Sequence, residues 1–276
     1  MHPTIFLHIP KAGGTTLRHI LVRQVKPEQA FLLYERMETA GLEVERLQNL
    51  PAEKKEKMEL VVGHFRFGLH RLFEQPFQYV TFLRDPYQRV VSQYHHVHRR
   101  PDHYLYSLVV EKGLSLEAFV SEGLAVELDN GQTRLLGTDF DEPDTPIGAC
   151  DADMLARAKT RLDQNFAVVG LQNRFDESLL LIRERLGIRS VAYEPKNQDR
   201  KRSARTPLTA AERAAIECTH ALDLELYAFA QAKLEAEIEQ RPEFFEQATQ
   251  RLATQNKRYA LQLRVNRKLK HLFDAS

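Results

Sequence analysis

The sequence predicts an α/β protein in which a central parallel sheet is flanked by helices. Four short β-rich apolar runs, at 4–9, 60–64, 77–83 and 166–171, alternate with segments of helical periodicity. Strands that are apolar along their whole length are typical of parallel sheets, because helices cover both faces.

The composition is that of a globular protein, with 276 residues, 43% hydrophobic and 28% charged. Lys and Arg together number 39 against 38 for Asp and Glu, giving a formal net charge of +1. A dedicated nucleic-acid binder carries a basic excess, so we expect no nucleic-acid partner. The 2 cysteines, Cys150 and Cys218, exclude a disulfide scaffold and indicate two free thiols.

The N-terminus lacks the basic and apolar regions of a signal peptide. No apolar run approaches the roughly 20 residues that cross a bilayer. We therefore expect a soluble, cytoplasmic protein without a transmembrane segment.

Between the strands, the charged segment 28–59 predicts helix, and Pro86 opens a helix that we expect to end near Arg99. The segment 175–186 predicts an amphipathic helix closed by Gly187. From Leu208 onward the pattern is helical, with a break at Arg241-Pro242. We predict a main α/β domain over 1–235 and a helical C-terminal extension over 236–276.

The most informative segment is His8-Ile9-Pro10-Lys11-Ala12-Gly13-Gly14-Thr15-Thr16, which joins the first strand to a helix. A glycine-rich turn into a helix N-terminus presents unpaired backbone N–H groups, which favour phosphate. Lys11 adds a cation, and Thr15 and Thr16 add hydroxyl donors. The alternative is a plain turn without a ligand.

A second anion-binding segment follows the third strand, in Arg84-Asp85-Pro86-Tyr87-Gln88-Arg89-Val90-Val91-Ser92. Arg84 is at the strand end, and a guanidinium pairs with phosphate bidentately. Ser92 lies about two turns into the next helix. We interpret Asp85 as the N-cap of this helix rather than as a magnesium ligand, and Arg89 as a buttress.

The order of residues argues against a nucleotide kinase or NTPase. In the loop GxxxxGK[ST] the lysine follows the glycines and the next hydroxyl holds Mg²⁺. Here Lys11 precedes the glycines, and no GK[ST] occurs in the sequence. A Mg²⁺-dependent kinase or NTPase remains an alternative, as does a non-catalytic nucleotide-binding module.

Together, PKAGGTT and RDPYQRVVSQY, about 70 residues apart, resemble the sulfotransferases that use 3′-phosphoadenosine-5′-phosphosulfate (PAPS). The likeness is to the family of the heparan-sulfate and dermatan-sulfate 2-O-sulfotransferases and their small bacterial relatives. VGLQNRFDESLLLIRERLG at 169–187 is similar to that family's late strand and helix. The resemblance implies a sulfotransferase fold similar to that of P-loop nucleotide kinases, covering about residues 4–230.

The resemblance also implies which residues bind PAPS and its product PAP. Residues 11–16 would hold the 5′-phosphosulfate, Arg84 and Ser92 the 3′-phosphate, and the basic loop containing Arg200, Lys201 and Ser203 would close over the nucleotide. A solvated loop is the alternative for that basic segment. His8 stands where animal members have an arginine, so that additional charge is missing here. No metal is implied.

Sulfuryl transfer needs a base for the acceptor hydroxyl, and we predict His64 in this role, with Lys11 neutralising charge on the leaving group. His64 follows a strand end, where open α/β sheets place active-site residues, and its ordinary pKa suits proton removal. The motif GHFRFGLH resembles the position of the histidine base in the 2-O-sulfotransferases. A structural histidine is the alternative, and His70 is a second candidate base.

For the acceptor we expect a glycan or a sugar-like molecule that carries a hydroxyl. Its candidate ligands are Arg66, His70, Asn130, Gln132 and Arg134. The segment DNGQTRLLG can equally be a helix start that packs on the sheet.

Two features have no assigned role. His95, His96 and His98 resemble a metal site but lack companion carboxylates. The C-terminal helices can pair in a homodimer or pack on their own domain.

Overall fold

The computed structural model describes residues 1–34, 40–194 and 207–273. Its strands are β1 Thr4–Leu7, β2 Ala30–Leu33, β3 Leu60–Gly63, β4 Gln78–Leu83 and β5 Phe166–Leu171. They form one parallel sheet in the order β2-β3-β1-β4-β5. The predicted α/β class, with a central parallel sheet flanked by helices, is confirmed.

α-Helices lie in the connections from β1 to β2, from β2 to β3 and from β4 to β5, whereas the connection from β3 to β4 contains a short 3₁₀ helix, Leu69–Leu72. In the described ranges the α-helices are α1 Gly14–Val22, α2 Ala40–Gln48, α3 Ala52–Glu56, α4 Pro86–His98, α5 Leu116–Ser121, α6 Gly131–Gly137, α7 Ala152–Gln164, α8 Phe175–Leu186, α9 Ala210–Thr219, α10 Ala221–Glu239 and α11 Pro242–Phe273. None of these helices is both long enough and apolar enough to cross a membrane.

The strand β2 corrects the prediction of helix over 28–59. Its sequence Ala-Phe-Leu-Leu pairs with β3 from Ala30 opposite Leu60 to Leu33 opposite Gly63. Four apolar residues carry no periodicity that separates strand from helix. Pairing with a neighbour that is distant in sequence decides the conformation.

The ends of several helices follow the sequence signals. Gly187 ends α8 with a φ of 65°, a conformation that glycine adopts at little cost. The break predicted at Arg241-Pro242 separates α10 from α11.

The helical C-terminal region is present, and its first half packs on the rest of the chain. Phe245 and Leu252 of α11 are 3% and 2% exposed and belong to the same core as the sheet. The predicted domain boundary at 235/236 lies within α10. The division into two domains stays a prediction.

The sheet order brings three sequence motifs to one edge. β1 lies between β3 and β4, so His8, His64 and Arg84 follow the carboxyl ends of three neighbouring strands. In open α/β sheets this edge is where ligands bind.

Candidate active site

The loop from β1 to α1 has the backbone of an anion site. Lys11 and Gly13 have φ values of 65° and 90°, so the chain enters the left-handed region twice within three residues. Gly13 is the N-cap of α1, and among the described residues no side chain caps the helix there. The first N–H groups of α1 therefore need a partner from outside, which a phosphate or sulfate group can supply.

Gly14 is required by the close approach of two side chains. A Cβ atom at this position would lie 2.2 Å from His8 Cδ2 and 2.8 Å from Phe6 Cζ. The His8 ring therefore packs directly over the start of α1.

The structure joins Arg84 to this loop. Its Nη1 donates a hydrogen bond to the Lys11 carbonyl at 3.0 Å. The Gln132 side-chain amide makes two hydrogen bonds with the main chain of Arg84. It accepts from the Arg84 N–H at 3.0 Å and donates to the Arg84 C=O at 2.9 Å. The two predicted anion-binding segments thus lie side by side.

The helix α4 is fixed at its start as the sequence predicts. The Asp85 side chain accepts a hydrogen bond from the Gln88 N–H at 2.9 Å, and Pro86 is the first helical residue. Asp85 is the N-cap. Ser92 lies further along α4 and is 3% exposed.

Arg89 is the buttress that the sequence suggested. It is 3% exposed, and its Nε donates to the Pro10 carbonyl at 3.3 Å. Its Nη1 and Nη2 donate to the Glu127 carbonyl at 3.2 and 3.3 Å. Arg89 thereby ties the Lys11 loop to the segment before α6.

His64 is held by backbone hydrogen bonds that continue the sheet beyond its strands. Its N–H donates to the Leu33 carbonyl at 2.9 Å, and the His8 N–H donates to the Gly63 carbonyl at 2.8 Å. The His64 Nδ1 lies 2.5 Å from the His8 carbonyl oxygen. Because a carbonyl oxygen only accepts, Nδ1 carries the proton, and in the neutral ring Nε2 is left with a lone pair.

The surroundings keep His64 neutral. Burial of the imidazole among neighbouring groups removes water from it and lowers the pKa of His64 below its ordinary value. The nearby Arg18 charge lowers this pKa further. The opposing effect of the His8 carbonyl is smaller than that of burial. The residue still has solvent-exposed surface. A neutral, accessible imidazole of this tautomer can accept a proton at Nε2.

Three further side chains surround this imidazole. The His8 and Tyr34 ring centroids lie 4.6 and 5.0 Å from that of His64, and His8 Nδ1 lies 2.7 Å from Tyr34 Oη. The Arg18 guanidinium lies 4.8 Å from the centre of the Tyr34 ring. Burial, with the charges of neighbouring groups, lowers the pKa of His8 to about 2.

Sequence reasoning missed Tyr34 and Arg18. Tyr34 directly follows β2, a segment for which the sequence predicts helix, so the sequence does not indicate its position at the carboxyl edge of the sheet. Arg18 lies one turn after Gly14 on α1, and this spacing could have indicated that it faces the same region.

His70 is in the opposite tautomer. The Tyr79 hydroxyl accepts from the N–H groups of Gly68 and His70 at 3.3 and 3.1 Å, and lies 3.1 Å from His70 Nδ1. An oxygen that already accepts two hydrogen bonds donates its own proton, so Nδ1 of His70 is the acceptor and Nε2 carries the hydrogen. The neutral ring has no lone pair left to act as a base.

Of the five predicted acceptor ligands, Asn130, Gln132 and Arg134 are engaged inside the protein. They are 6%, 0% and 8% exposed. The Asn130 Oδ1 accepts from the Leu222 and Asp223 N–H groups at the start of α10. These internal partners correct the expectation of an acceptor contact, because each polar group is already paired away from solvent.

Arg134 and Arg66 hold the following loop. Arg134 donates to the carbonyls of Asp129, Thr145 and Pro146 and pairs with the Asp129 carboxylate. Arg66 donates to the Phe140 and Pro143 carbonyls at 3.3 and 3.2 Å.

Two other expectations concern the basic loop and a metal. Arg200, Lys201 and Ser203 lie outside the described residues. Within the described ranges, no three His, Cys, Asp or Glu side chains converge as a metal-ligand set.

Comparison with known proteins places the chain in a family. No curated protein matches the sequence. One similar solved structure is mouse sulfotransferase SULT7A1 complexed with PAP, at 15% identity and a TM-score of 0.37, covering 81% of this chain and 65% of that one. The chain thus spans about two thirds of that protein's length. The galactose-3-O-sulfotransferase family model matches residues 2–268, and the chain belongs to this family.

Proposed function

We propose that the protein transfers the sulfuryl group of PAPS to a hydroxyl of a sugar-like acceptor and releases PAP. The observation that carries the proposal is the convergence of three strand ends: the Lys11 loop, Arg84 bonded to the Lys11 carbonyl, and His64 with a lone pair on Nε2. Membership of the galactose-3-O-sulfotransferase family supports this class of reaction.

The donor set of the loop suits the 5′-phosphosulfate. Gly13 is exposed and lies in the left-handed region, and Gly14 leaves no Cβ between the helix start and the His8 ring. Backbone N–H groups, the Lys11 ammonium and the two hydroxyls are the groups that bind a tetrahedral anion. The proposed ligands are Lys11, Ala12, Gly13, Gly14, Thr15 and Thr16.

The 3′-phosphate would be bound by Arg84 and Ser92, which the resemblance to PAPS-dependent enzymes implies. The bond from Arg84 to the Lys11 carbonyl supports this assignment, because it fixes the distance between the two anion sites. Arg200, Lys201 and Ser203 would complete the nucleotide site.

The proposed side chains divide the reaction between proton removal and stabilisation of the leaving group. PAPS supplies an activated sulfuryl group. His64 Nε2 takes the proton of the acceptor hydroxyl while the acceptor oxygen bonds to sulfur and the bond from sulfur to the 5′-phosphate breaks. Lys11 and the loop N–H groups stabilise the charge on the departing phosphate oxygen.

The choice of His64 over His70 rests on their tautomers. The resemblance to the 2-O-sulfotransferases supports the same choice, because His64 resembles the histidine base of those enzymes in its position. The family name supports a sugar as the acceptor.

A homodimer through the C-terminal helices stays a prediction. It is supported by Leu261 and Val265, which are 64% and 48% exposed and lie one turn apart on α11. Light scattering of the purified protein tests it.

The function is tested by ligand selectivity and then by transfer. We expect PAP to raise the melting temperature without metal, and ATP with Mg²⁺ or AMP to raise it much less. Labelled sulfate from PAPS should then appear on a galactoside. Stabilisation by ATP only in the presence of Mg²⁺ would indicate a kinase or NTPase, and PAP binding without transfer to any sugar would indicate a non-catalytic module.

Gln132 should affect PAP binding through Arg84. In Gln132→Leu, the N–H and C=O of Arg84 lose their partners at a cost of about 1–3 kcal/mol per group, so Arg84 loses its fixed position. We expect a Kd for PAP that is raised about tenfold, measured by calorimetry. Gln88→Leu, at an exposed position of α4, is the control. An unchanged Kd in the Gln132 variant would show that this amide does not position Arg84.

A further inference from the structure

The side chain of Asp223, in the first turn of α10, is completely buried and contacts the start of α6. Its carboxylate accepts hydrogen bonds from the N–H groups of Gln132 and Thr133 at 3.1 and 2.7 Å. It also accepts one from the Thr133 hydroxyl at 2.8 Å. The first N–H groups of a helix have no partner within the helix, so α10 supplies the acceptors that α6 needs. A buried carboxylate with this many donors has a fixed orientation.

The two oxygens of this carboxylate have different partners. Oδ1 accepts both hydrogen bonds from Thr133. Oδ2 accepts the hydrogen bond from the Gln132 N–H and lies 3.9 Å from Nη1 of Arg89. Arg89 is buried as well; burial lowers its pKa, and the Asp223 charge opposes that effect. Oδ2 is therefore the atom through which α10 contacts both Gln132 and Arg89.

One chain of contacts leads from Oδ2 to Arg84. The side chain of Gln132 is hydrogen-bonded to the Arg84 N–H and C=O at 3.0 and 2.9 Å. Arg84, a proposed ligand of the 3′-phosphate, donates in turn to the Lys11 carbonyl at 3.0 Å. Because Asp223 holds the backbone of Gln132, it also determines where the Gln132 amide meets Arg84.

A second chain of contacts leads from Oδ2 to the Lys11 loop and to α4. Arg89 donates to the Pro10 carbonyl at 3.3 Å and lies on α4, one turn before Ser92. A Cβ atom at Gly131 would lie 2.7 Å from Arg89 Nη2, so the guanidinium packs directly on the start of α6. Asp223 therefore contacts, through one partner each, both segments that are proposed to bind the phosphates of PAP.

We propose that Asp223 is a positioning residue that sets the separation of the two anion sites, so that the chain selects adenosine 3′,5′-bisphosphate over adenosine monophosphates. The inference rests on the proposed function, because it takes the Lys11 loop and Arg84 as those sites. A ligand with two phosphates benefits from a fixed separation, since its second phosphate then binds at a high effective concentration. A ligand with one phosphate occupies one site and does not depend on the separation.

The experiment measures the Kd of PAP, AMP and adenosine 3′-phosphate by calorimetry for wild type and Asp223→Asn. The new amide has the same size but only one acceptor oxygen. With that oxygen toward Thr133, its NH₂ group faces the Gln132 N–H and Arg89, so the contacts of Oδ2 are lost. We expect the Kd for PAP to rise at least about tenfold and the Kd of each monophosphate to stay within about twofold. The ratio of the Kd for AMP to the Kd for PAP should therefore fall.

The matched control is Thr133→Val, which removes the hydroxyl donor from Oδ1 and leaves the contacts of Oδ2 in place. Thr133 is 0% exposed, so we expect this variant to unfold at lower urea than wild type. Its Kd ratio should equal that of wild type. An equal fall of the ratio in Thr133→Val would show a general effect of lost stability and would overturn the role of Asp223.

A second variant, Gly131→Ala, keeps the carboxylate and displaces Arg89 from it. The atom that its Cβ would meet is the end of a flexible side chain, so we expect the variant to fold and its Kd ratio to fall. This variant decides the question if Asp223→Asn does not fold.

The binding measurements also separate this inference from the proposed function. A wild type that binds PAP no more tightly than AMP would overturn the proposed nucleotide site, and the role of Asp223 with it. A wild type that prefers PAP, together with an unchanged Kd ratio in folded Asp223→Asn, would overturn the role of Asp223 alone. If Asp223→Asn does not fold, an unchanged ratio in Gly131→Ala has the same meaning.

Discussion

Replacing His64 by alanine should lower kcat by about 10²–10⁴-fold, the usual contribution of a general base, and leave the Kd for PAP within about threefold of wild type. The reason is the proposed division of tasks: the lone pair on His64 Nε2 would take the proton, whereas the loop and Arg84 would bind the nucleotide. His64→Gln is the conservative partner, because its amide can still donate to the His8 carbonyl but has no basic nitrogen. Single-turnover sulfate transfer and calorimetry with PAP measure the two quantities.

His70→Ala is the competing variant. Because Nδ1 of His70 accepts from Tyr79 and Nε2 carries the hydrogen, its loss should change kcat by only a few fold. If His70→Ala abolishes transfer while His64→Gln keeps a rate near wild type, the two roles are reversed.

The pH dependence follows from the same imidazole. His64 acts as a base only when neutral, so kcat/KM falls as the pH drops through its pKa. Burial lowers that pKa below the ordinary value of about 6.5, so we expect the acid limb of kcat/KM to lie below pH 6.5. The free energy of unfolding should change in the same direction. Below about pH 6.5 His64 binds a proton in the unfolded chain but not in the folded one, so the folded protein becomes less stable as the pH falls. An acid limb above pH 7 would contradict the assignment.

Sequence reasoning found the strands that are long or end in a distinctive motif. β3 and β4 lead directly into His64 and Arg84, and Asp85-Pro86 marks the start of α4 by local chemistry alone. β2 was missed because its conformation depends on pairing with β3 rather than on its own four residues.

In the candidate site, too, features set by the local sequence can be predicted, whereas features set by contacts between distant segments cannot. Lys11 and Arg84 can be proposed as ligands from the sequence because the motifs that contain them are local. The internal role of Gln132 could not be read from the sequence, because its partner Arg84 lies 48 positions away and an amide suits a sugar as well as a backbone. Whether the Gln132 amide contacts a sugar or the main chain of Arg84 depends on the burial of Gln132, which only the fold determines.

Removing the charge of Lys11 should weaken both binding and transfer. A charge-assisted hydrogen bond contributes about 1.5–3 kcal/mol, so Lys11→Ala should raise the Kd for PAPS by about 10–100-fold and slow transfer further if the ammonium also stabilises the leaving phosphate. Calorimetry and single-turnover kinetics measure the two effects. A variant with unchanged Kd and rate would support the reading of residues 10–16 as a plain turn.

The backbone at Lys11 supplies a control that separates charge from conformation. Its φ of 65° costs a residue with a Cβ about 1 kcal/mol, and this cost is the same for alanine but absent for glycine. Lys11→Gly should therefore unfold at higher urea than Lys11→Ala and bind PAPS equally weakly. A lysine in a conformation that would suit glycine better agrees with the proposed role of its ammonium, because strain of this kind clusters at functional sites. Recovery of PAPS binding in Lys11→Gly would instead show that loop geometry, and not the lysine charge, limits affinity.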